Sequence, residues 1–331
     1  MLELCWNATK FDVTMSTVGA AKHLAGIISK HGRVQSLTLS STVAFHLSHT
    51  VFVTFSRIIA KAFRDKPDPR VLDHLVVDEL KWASEEVPAS LKKLKRSSLI
   101  QARNYSLTYA SITSLDLFRI IPSNSVHLRA LHIETSTTHL RQSALGFLAK
   151  KLPRTLEVLS ITCAVEHEGY PVEEYPPIYP PFSNTSCAPD AFFTSFPNLV
   201  QLTLGSFRKL TLAQITLLSE ASPHLRIIDL DESTWVFDCL TFDVAALRQA
   251  FDSNFPCLKQ LNLGTLPLYD FTGVLDAFEL DLSRRGIVCE WTPCEEDRCE
   301  CDGEGCYECM GSDYFDDEMY HGSDCECGGA Y

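Results

Sequence analysis

No stretch of this 331-residue chain stays apolar for long enough to cross a membrane. Its most apolar region, Val43 to Ala60, is interrupted by His46, His49 and Arg57, whereas a spanning helix needs about 20 predominantly apolar residues. The first ten residues include Glu3, Asn7 and Lys10 and have no apolar run of the secretory kind, which predicts an intracellular location, cytoplasmic or nuclear. The sequons at Asn7, Asn104 and Asn184 are then expected to remain unmodified. Cysteine is sparse in the body: of thirteen, only Cys5, Cys163, Cys187, Cys239 and Cys257 precede residue 289. Their wide separation favours free buried thiols in a reducing compartment over a disulfide framework. Basic residues almost vanish at the end. Glu290 to Tyr331 holds fourteen Asp and Glu against Arg298 alone, a net of −13 that equals the charge of the whole chain. A neutral body and an acidic tail therefore meet near residue 290. Phosphate loops, dinucleotide fingerprints, Gly-x-Ser-x-Gly elbows and His-Glu-x-x-His pairs are also missing, so the expectation is a non-catalytic protein.

What the sequence does contain is one pattern written eight times: apolar, two others, apolar, one other, apolar. The copies are Val34-Leu37-Leu39, Leu72-Leu75-Val77, Ile112-Leu115-Leu117, Leu128-Leu131-Ile133, Leu156-Leu159-Ile161, Leu199-Leu202-Leu204, Leu225-Ile228-Leu230 and Leu258-Leu261-Leu263. Between several copies the apolar period changes from 2 to 3.6, as in a strand followed by a crossover helix. Val51, Phe52, Phe55, Ile58, Ile59 and Phe63 form one helical stripe, and Leu140, Ala144, Phe147 and Leu148 another. Thr211 with Gln214 predicts a capping box, Asp243 a cap for Val244 to Phe251, and Phe271 to Arg285 a last helix. Pro153, Pro197, Pro223 and Pro256 follow helical segments and stop them. One strand and one helix are too small to bury their own apolar faces, and stacking such units side by side buries both. The expected fold is an α/β solenoid with a parallel sheet, helices on the convex side and irregular repeats. The 16-residue step from Ile112 to Leu128 is too short for a strand and a helix, and the Leu128 copy fits the later ones better.

Three copies read Pro197-Asn-Leu-Val-Gln-Leu-Thr-Leu204, Pro223-His-Leu-Arg-Ile-Ile-Asp-Leu230 and Pro256-Cys-Leu-Lys-Gln-Leu-Asn-Leu263. On these residues the chain resembles leucine-rich-repeat proteins of the ribonuclease-inhibitor and F-box type, in particular a fungal group with degenerate repeats. The resemblance spans about residues 30 to 290. It implies a leucine-rich-repeat solenoid, whose typical unit is about 20–29 residues. Members with an F-box recruit substrates to a cullin-based ubiquitin ligase through an N-terminal helical module. The Leu-Pro-x-Glu-Leu/Ile opening of that module does not occur here. The expected organisation is an N-terminal capping segment (1–33), a solenoid (34–289) with a Pro-rich loop insertion (170–184), and an acidic Cys-rich tail (290–331) expected to be disordered.

Strand residues between the leucines alternate onto the concave face of such a sheet. Candidate partner-binding residues there are His74, Asp78, Asp116, His132, Glu134, Gln201, Asp229, Asp231, Gln260 and Asn262. Phe207, Trp235 and Tyr269 after the strands are further contact candidates. The expected face carries acids and no Lys or Arg, which disfavours nucleic acid and favours a polar or basic protein partner. The function expected is a protein-binding scaffold without a cofactor. A ubiquitin-ligase substrate receptor, with a ligase adaptor as partner, is the alternative the resemblance implies. In the tail, Cys306-x-x-Cys309 and Cys325-x-Cys327 approach zinc-ligand spacing, although the second pair is one residue short of the usual ribbon. The run Lys92-Lys93-Leu94-Lys95-Arg96 fits a solvated helix face or linker better than a nuclear-localisation patch.

Overall fold

The computed structural model describes residues 8–31, 33–41, 47–65, 70–78, 80–81, 99–110, 126–135, 142–163, 189–205, 208–230, 234–235, 248–249, 251, 255–266 and 272–293. Ten strands form one continuous parallel ladder in chain order. They are β1 (Lys10–Thr14), β2 (Ser36–Ser40), β3 (Leu72–Asp78), β4 (Ala102–Ala110), β5 (Ala130–Thr135), β6 (Val158–Cys163), β7 (Gln201–Leu204), β8 (Ile227–Asp229), β9 (Gln260–Leu266) and β10 (Val288–Pro293). Each pairs in parallel with the next. A parallel pair needs a crossover connection, and helices lie in several of these: α1 (Val18–Lys30), α2 (His49–Arg64), α3 (Gln142–Lys151), the single turn α4 (Asp190–Phe193), α5 (Leu212–Ala221) and α6 (Thr272–Arg284).

The core is built from aligned rows. Phe11, Leu37, Leu75, Tyr105, Leu131, Leu159, Leu202, Ile228, Leu261 and Cys289 are registered across the ten strands and all buried. Against them pack Ala21, Ala25 and Ile28 of α1, Phe52, Phe55, Ile59 and Phe63 of α2, Ile215 and Leu218 of α5, and Leu275, Phe278 and Leu282 of α6. These spacings of three and four are the single-face periodicity of an amphipathic helix. The helix starts are fixed by hydroxyl caps: the Ala20 amide donates to Thr17 at 3.1 Å and the Val51 amide to Ser48 at 3.4 Å. The expected capping box is present, with the Gln214 amide donating to the Thr211 hydroxyl at 3.3 Å and the Thr211 amide to the Gln214 side chain at 3.1 Å.

The prolines do more than stop helices. The Leu199, Leu225 and Leu258 amides donate to the Phe196, Ser222 and Phe255 carbonyls at 3.2, 3.2 and 3.3 Å. Pro197, Pro223 and Pro256 thus occupy the second position of a four-residue turn, where the φ fixed by the ring is already the one required. Each turn delivers the following leucine into the buried row. Neighbouring units are also tied by polar groups, the buried Ser222 hydroxyl donating to the Phe196 carbonyl at 2.7 Å and the Asn198 amide to the Arg154 carbonyl at 2.8 Å.

Three features differ from the sequence reading. The place between β3 and β5, expected for Ile112–Leu117, is held by β4, whose Ala102, Tyr105 and Leu107 fit the same pattern with an alanine and a tyrosine in leucine positions. With Ala102 as the start, the 16-residue step becomes 26 residues, enough for a full unit. Residues 1–33, expected as a cap, contain β1 and α1, a strand and helix that form the first unit of the ladder. At the other end β10 continues through Pro293, so residues 290–293, placed with the tail by charge, pair with β9. A second tier of short parallel pairs follows the main strands: Leu47–Ser48 with Leu80–Lys81, and Arg208–Leu210 with Thr234–Trp235. The 170–184 insertion, residues 92–96, most of Val244–Phe251 and the chain after Pro293 lie outside the described residues.

Tyr105 is buried and its hydroxyl has no hydrogen-bond partner among the described residues, and burial pushes the phenol well above its ordinary range. An unsatisfied buried hydroxyl is a cost that removal relieves. Tyr105→Phe is therefore expected to leave the thermal midpoint unchanged or higher. Leu131→Ala in the adjacent strand is expected to cost about 2–5 kcal/mol through lost burial and a cavity. A lower midpoint for Tyr105→Phe would contradict the packing described.

Candidate functional site

The residues that alternate with the buried rows make up the face of the sheet opposite the described helices. Register places them in transverse rows. The first row runs Lys10, Ser36, His74, Asn104, Ala130, Val158, Gln201, Ile227, Gln260, Val288. The second runs Asp12, Thr38, Val76, Ser106, His132, Ser160, Thr203, Asp229, Asn262, Glu290. A shorter third row pairs Asp78 with Thr108 and Glu134 with Thr162. From β2 to β9 none of these positions is Lys or Arg.

Of the expected contact residues, His74, Asp78, His132, Glu134, Gln201, Asp229, Gln260 and Asn262 lie on this one face. Asp116, Asp231, Phe207 and Tyr269 lie outside the described residues, as do Cys306, Cys309, Cys325 and Cys327. Trp235 lies in the short strand Thr234–Trp235, off the main rows. Asn104, Ser106 and Thr108 of β4 were not expected on the face. The alternation around Tyr105 is the signal that would have found them.

Two flanks of the face differ in charge. Where the strands begin, cations are paired with carboxylates on neighbouring strands: Arg103 with Asp73 at 3.2 Å and Arg129 with Glu157 at 2.8 Å. These pairs are largely exposed and contribute little stability; on the same flank, exposed Arg226 and Lys259 precede β8 and β9. Farther along the strands, Asp78 stands on β3 beside Thr108 of β4, and Glu134 on β5 beyond the point where the β4–β5 register shifts. The Thr108 hydroxyl donates to the Asp78 carboxylate at 2.6 Å. Burial raises the Glu134 carboxyl above its ordinary value, and the Asp78 charge adds to that. Burial holds the His132 imidazole below its ordinary value, which favours the neutral ring at pH 7.

Across β3 to β7 the face dips into an open hollow of about 350 Å³, lined by His74, Val76, Asn104, Ala130, His132, Val158 and their neighbours. Among the described residues no group of three His, Cys, Asp or Glu is placed to hold a metal ion. None of their helices is long and apolar enough to cross a membrane. In the last strand, burial first, then the charges of Glu279 and Glu290, push the Cys289 thiol up to about 12. A thiol so poised is a poor nucleophile.

The in-register parallel sheet, its helical crossovers and its leucine rows define an α/β solenoid of the leucine-rich-repeat type. No family model matches the chain, and no curated protein does. Among solved structures the chain is similar to the leucine-rich repeat-containing protein LegL7 from Legionella pneumophila, at 16% identity over 76% of this chain and 81% of that one, with a TM-score of 0.35.

The two shifted groups on the face act on stability in opposite directions. A raised Glu134 binds its proton in the fold more tightly than in the unfolded chain, so its contribution falls as pH rises above the ordinary carboxyl value. A depressed His132 does the reverse, and stability is lost as pH falls below the ordinary imidazole value of 6.5. His132→Asn is expected to flatten the loss of thermal midpoint below pH 6.5, and Glu134→Gln to steepen it. In carboxyl NMR titrations, Asp78→Asn is expected to lower the Glu134 midpoint while leaving it above the ordinary value, because burial is the larger cause. An unmoved midpoint would contradict the coupling.

Proposed function

We propose that this chain is a non-catalytic scaffold that binds another protein through the open face of its sheet. The observation that carries the reading is the face itself: ten registered strands present largely polar and acidic side chains on the side opposite the described helices, and among the described residues the two full rows hold no Lys or Arg from β2 to β9. A sheet buried on one face and pinned by neighbours on both sides presents its side chains at nearly fixed positions, which lowers the ordering cost of association. The sign of the face favours a basic protein partner over nucleic acid.

The test is affinity purification of the full chain from its native cell, with mass spectrometry, beside a variant carrying Asp78→Lys, Glu134→Lys and Asp229→Lys. With the fold retained by circular dichroism, the variant is expected to lose the partners of the parent chain. An unchanged partner set would sink the open-face reading. The narrower reading, a substrate receptor for a cullin-type ubiquitin ligase, rests on the Pro-x-Leu-x-x-Leu-x-Leu resemblance. It requires a ligase adaptor that is retained when the face is charge-reversed, since an adaptor engages a separate helical module.

A further inference from the structure

We propose that the hollow around Ala130 seats an extended peptide segment of the partner, with an apolar side chain over Ala130 and Val158 and a Lys or Arg side chain between the Asp78 and Glu134 carboxylates. The inference rests on the protein-binding reading and specifies the chemistry of what is bound.

The shape follows from side-chain size. In the first row, His74, Asn104, Ala130, Val158 and Gln201 stand on five consecutive strands. Ala130 is the smallest of them and is only 7% exposed, so the surface sinks where it lies. The hollow of about 350 Å³ spans these strands and extends into the second row at Val76, Ser106 and His132. Val76, Ala130 and Val158 make its apolar part. At a strand spacing of about 4.8 Å, five strands extend over roughly 19 Å, the length of about six residues of extended chain. A pocket that buries most of a small molecule encloses it, whereas no described residue roofs this hollow. Its form suits side chains projecting from a strand-like segment laid across the sheet.

The charge follows from the third row. Asp78 and Glu134 stand two strands apart, at roughly 10 Å by strand spacing, on either side of β4, whose register with β5 shifts beyond Leu107. Among the described residues, the two full rows hold no Lys or Arg from β2 to β9. Two cations at the opposite rim, Arg103 and Arg129, are engaged with Asp73 and Glu157. Glu134 is already disfavoured as a carboxylate by burial and by Asp78. A guanidinium or ammonium group between the two carboxylates relieves that repulsion and matches both. His132, held towards the neutral form by burial, does not repel it.

The experiment measures fluorescence polarisation of three labelled, end-capped eight-residue peptide pools with the full chain. One pool alternates Lys with aliphatic residues, one Lys with Ser, and one Glu with aliphatic residues. Only the Lys/aliphatic pool is expected to bind, more weakly at high salt. Ala130→Phe, which fills the hollow, and the pair Asp78→Asn with Glu134→Gln are each expected to weaken binding by about tenfold or more. Glu220→Ala, an exposed position on α5 away from the open face, is expected to leave it unchanged. Val158→Lys is the second hollow variant, should Ala130→Phe not fold. It starts from a half-buried open-face position and places a cation where the apolar side chain would lie. Equal binding of the three pools, or binding indifferent to both hollow variants, overturns the proposal. If no pool binds while the charge-reversed face still loses its cellular partners, the peptide inference fails and the protein-binding reading stands. If no pool binds and no partner is lost, both fail.

Discussion

Each strand of a parallel sheet carries unpaired N–H and C=O groups along both edges, and only a neighbour in register satisfies them. That requirement organises the rest of this molecule. It places residue after residue of one unit beside its counterpart in the next, so the leucine rows meet in the core and the polar rows meet on the open face. It also explains why units of very different length coexist. The chain takes 26 residues from Leu199 to Leu225 and 43 from Leu156 to Leu199, yet β7 pairs with β6 and β8 in the same unbroken register. Extra length goes into the crossover, where loop closure adds little cost for each added residue. The ladder ends at β1 and β10, whose outer edges are free among the described residues. Asp12 and Glu290 hold the same row at these two ends, so continuing one molecule's ladder into another's would set like charges side by side, an arrangement that discourages edge-to-edge association.

Much of this architecture was legible because period and pattern are local. Seven of the eight leucine copies are on the ladder, and the α2 stripe and the Thr211–Gln214 box are as expected. What escaped did so for physical reasons. Tyr105 and Ala102 fill leucine positions in β4, as Phe11 and Val13 do in β1, so a search for aliphatic triplets passes over both strands. α1 buries two alanines, Ala21 and Ala25, which pack closely but leave a faint stripe; Thr17 was the stronger sign. The two- and three-residue strands of the second tier are too short to carry any period. The charge boundary at 290 fell inside β10, because an edge strand accepts Glu290 on its open side while Cys289 faces the core.

The candidate site was legible in part. Alternation put His74, Asp78, His132 and Glu134 on one face from sequence alone. The hollow was not legible, because it exists only where His74, Asn104, Ala130, Val158 and Gln201 become neighbours, and no short window contains them. The same holds for the polarity across the face, where paired cations line the strand starts and the Asp78–Glu134 carboxylates lie farther along. The face carries Arg–carboxylate pairs at the starts of β3 to β6, the Asp78 and Glu134 carboxylates farther along, and an apolar dip at Ala130 and Val158. Those properties belong to the assembled ladder, and any function of the chain that uses the face depends on the ladder staying in register.

Register is best measured by pulsed-dipolar distances between spin labels on the full chain, with cysteine pairs at Thr38 and Ser160 and at Thr38 and Asn262. These positions share the second row, four and seven strands apart. At about 4.8 Å per strand the separations should be near 19 and 34 Å before label length and curvature. The account predicts two narrow distributions, with the Asn262 pair the longer. Equal distances, or a shorter one for the Asn262 pair, would contradict the ladder and every inference drawn from its open face.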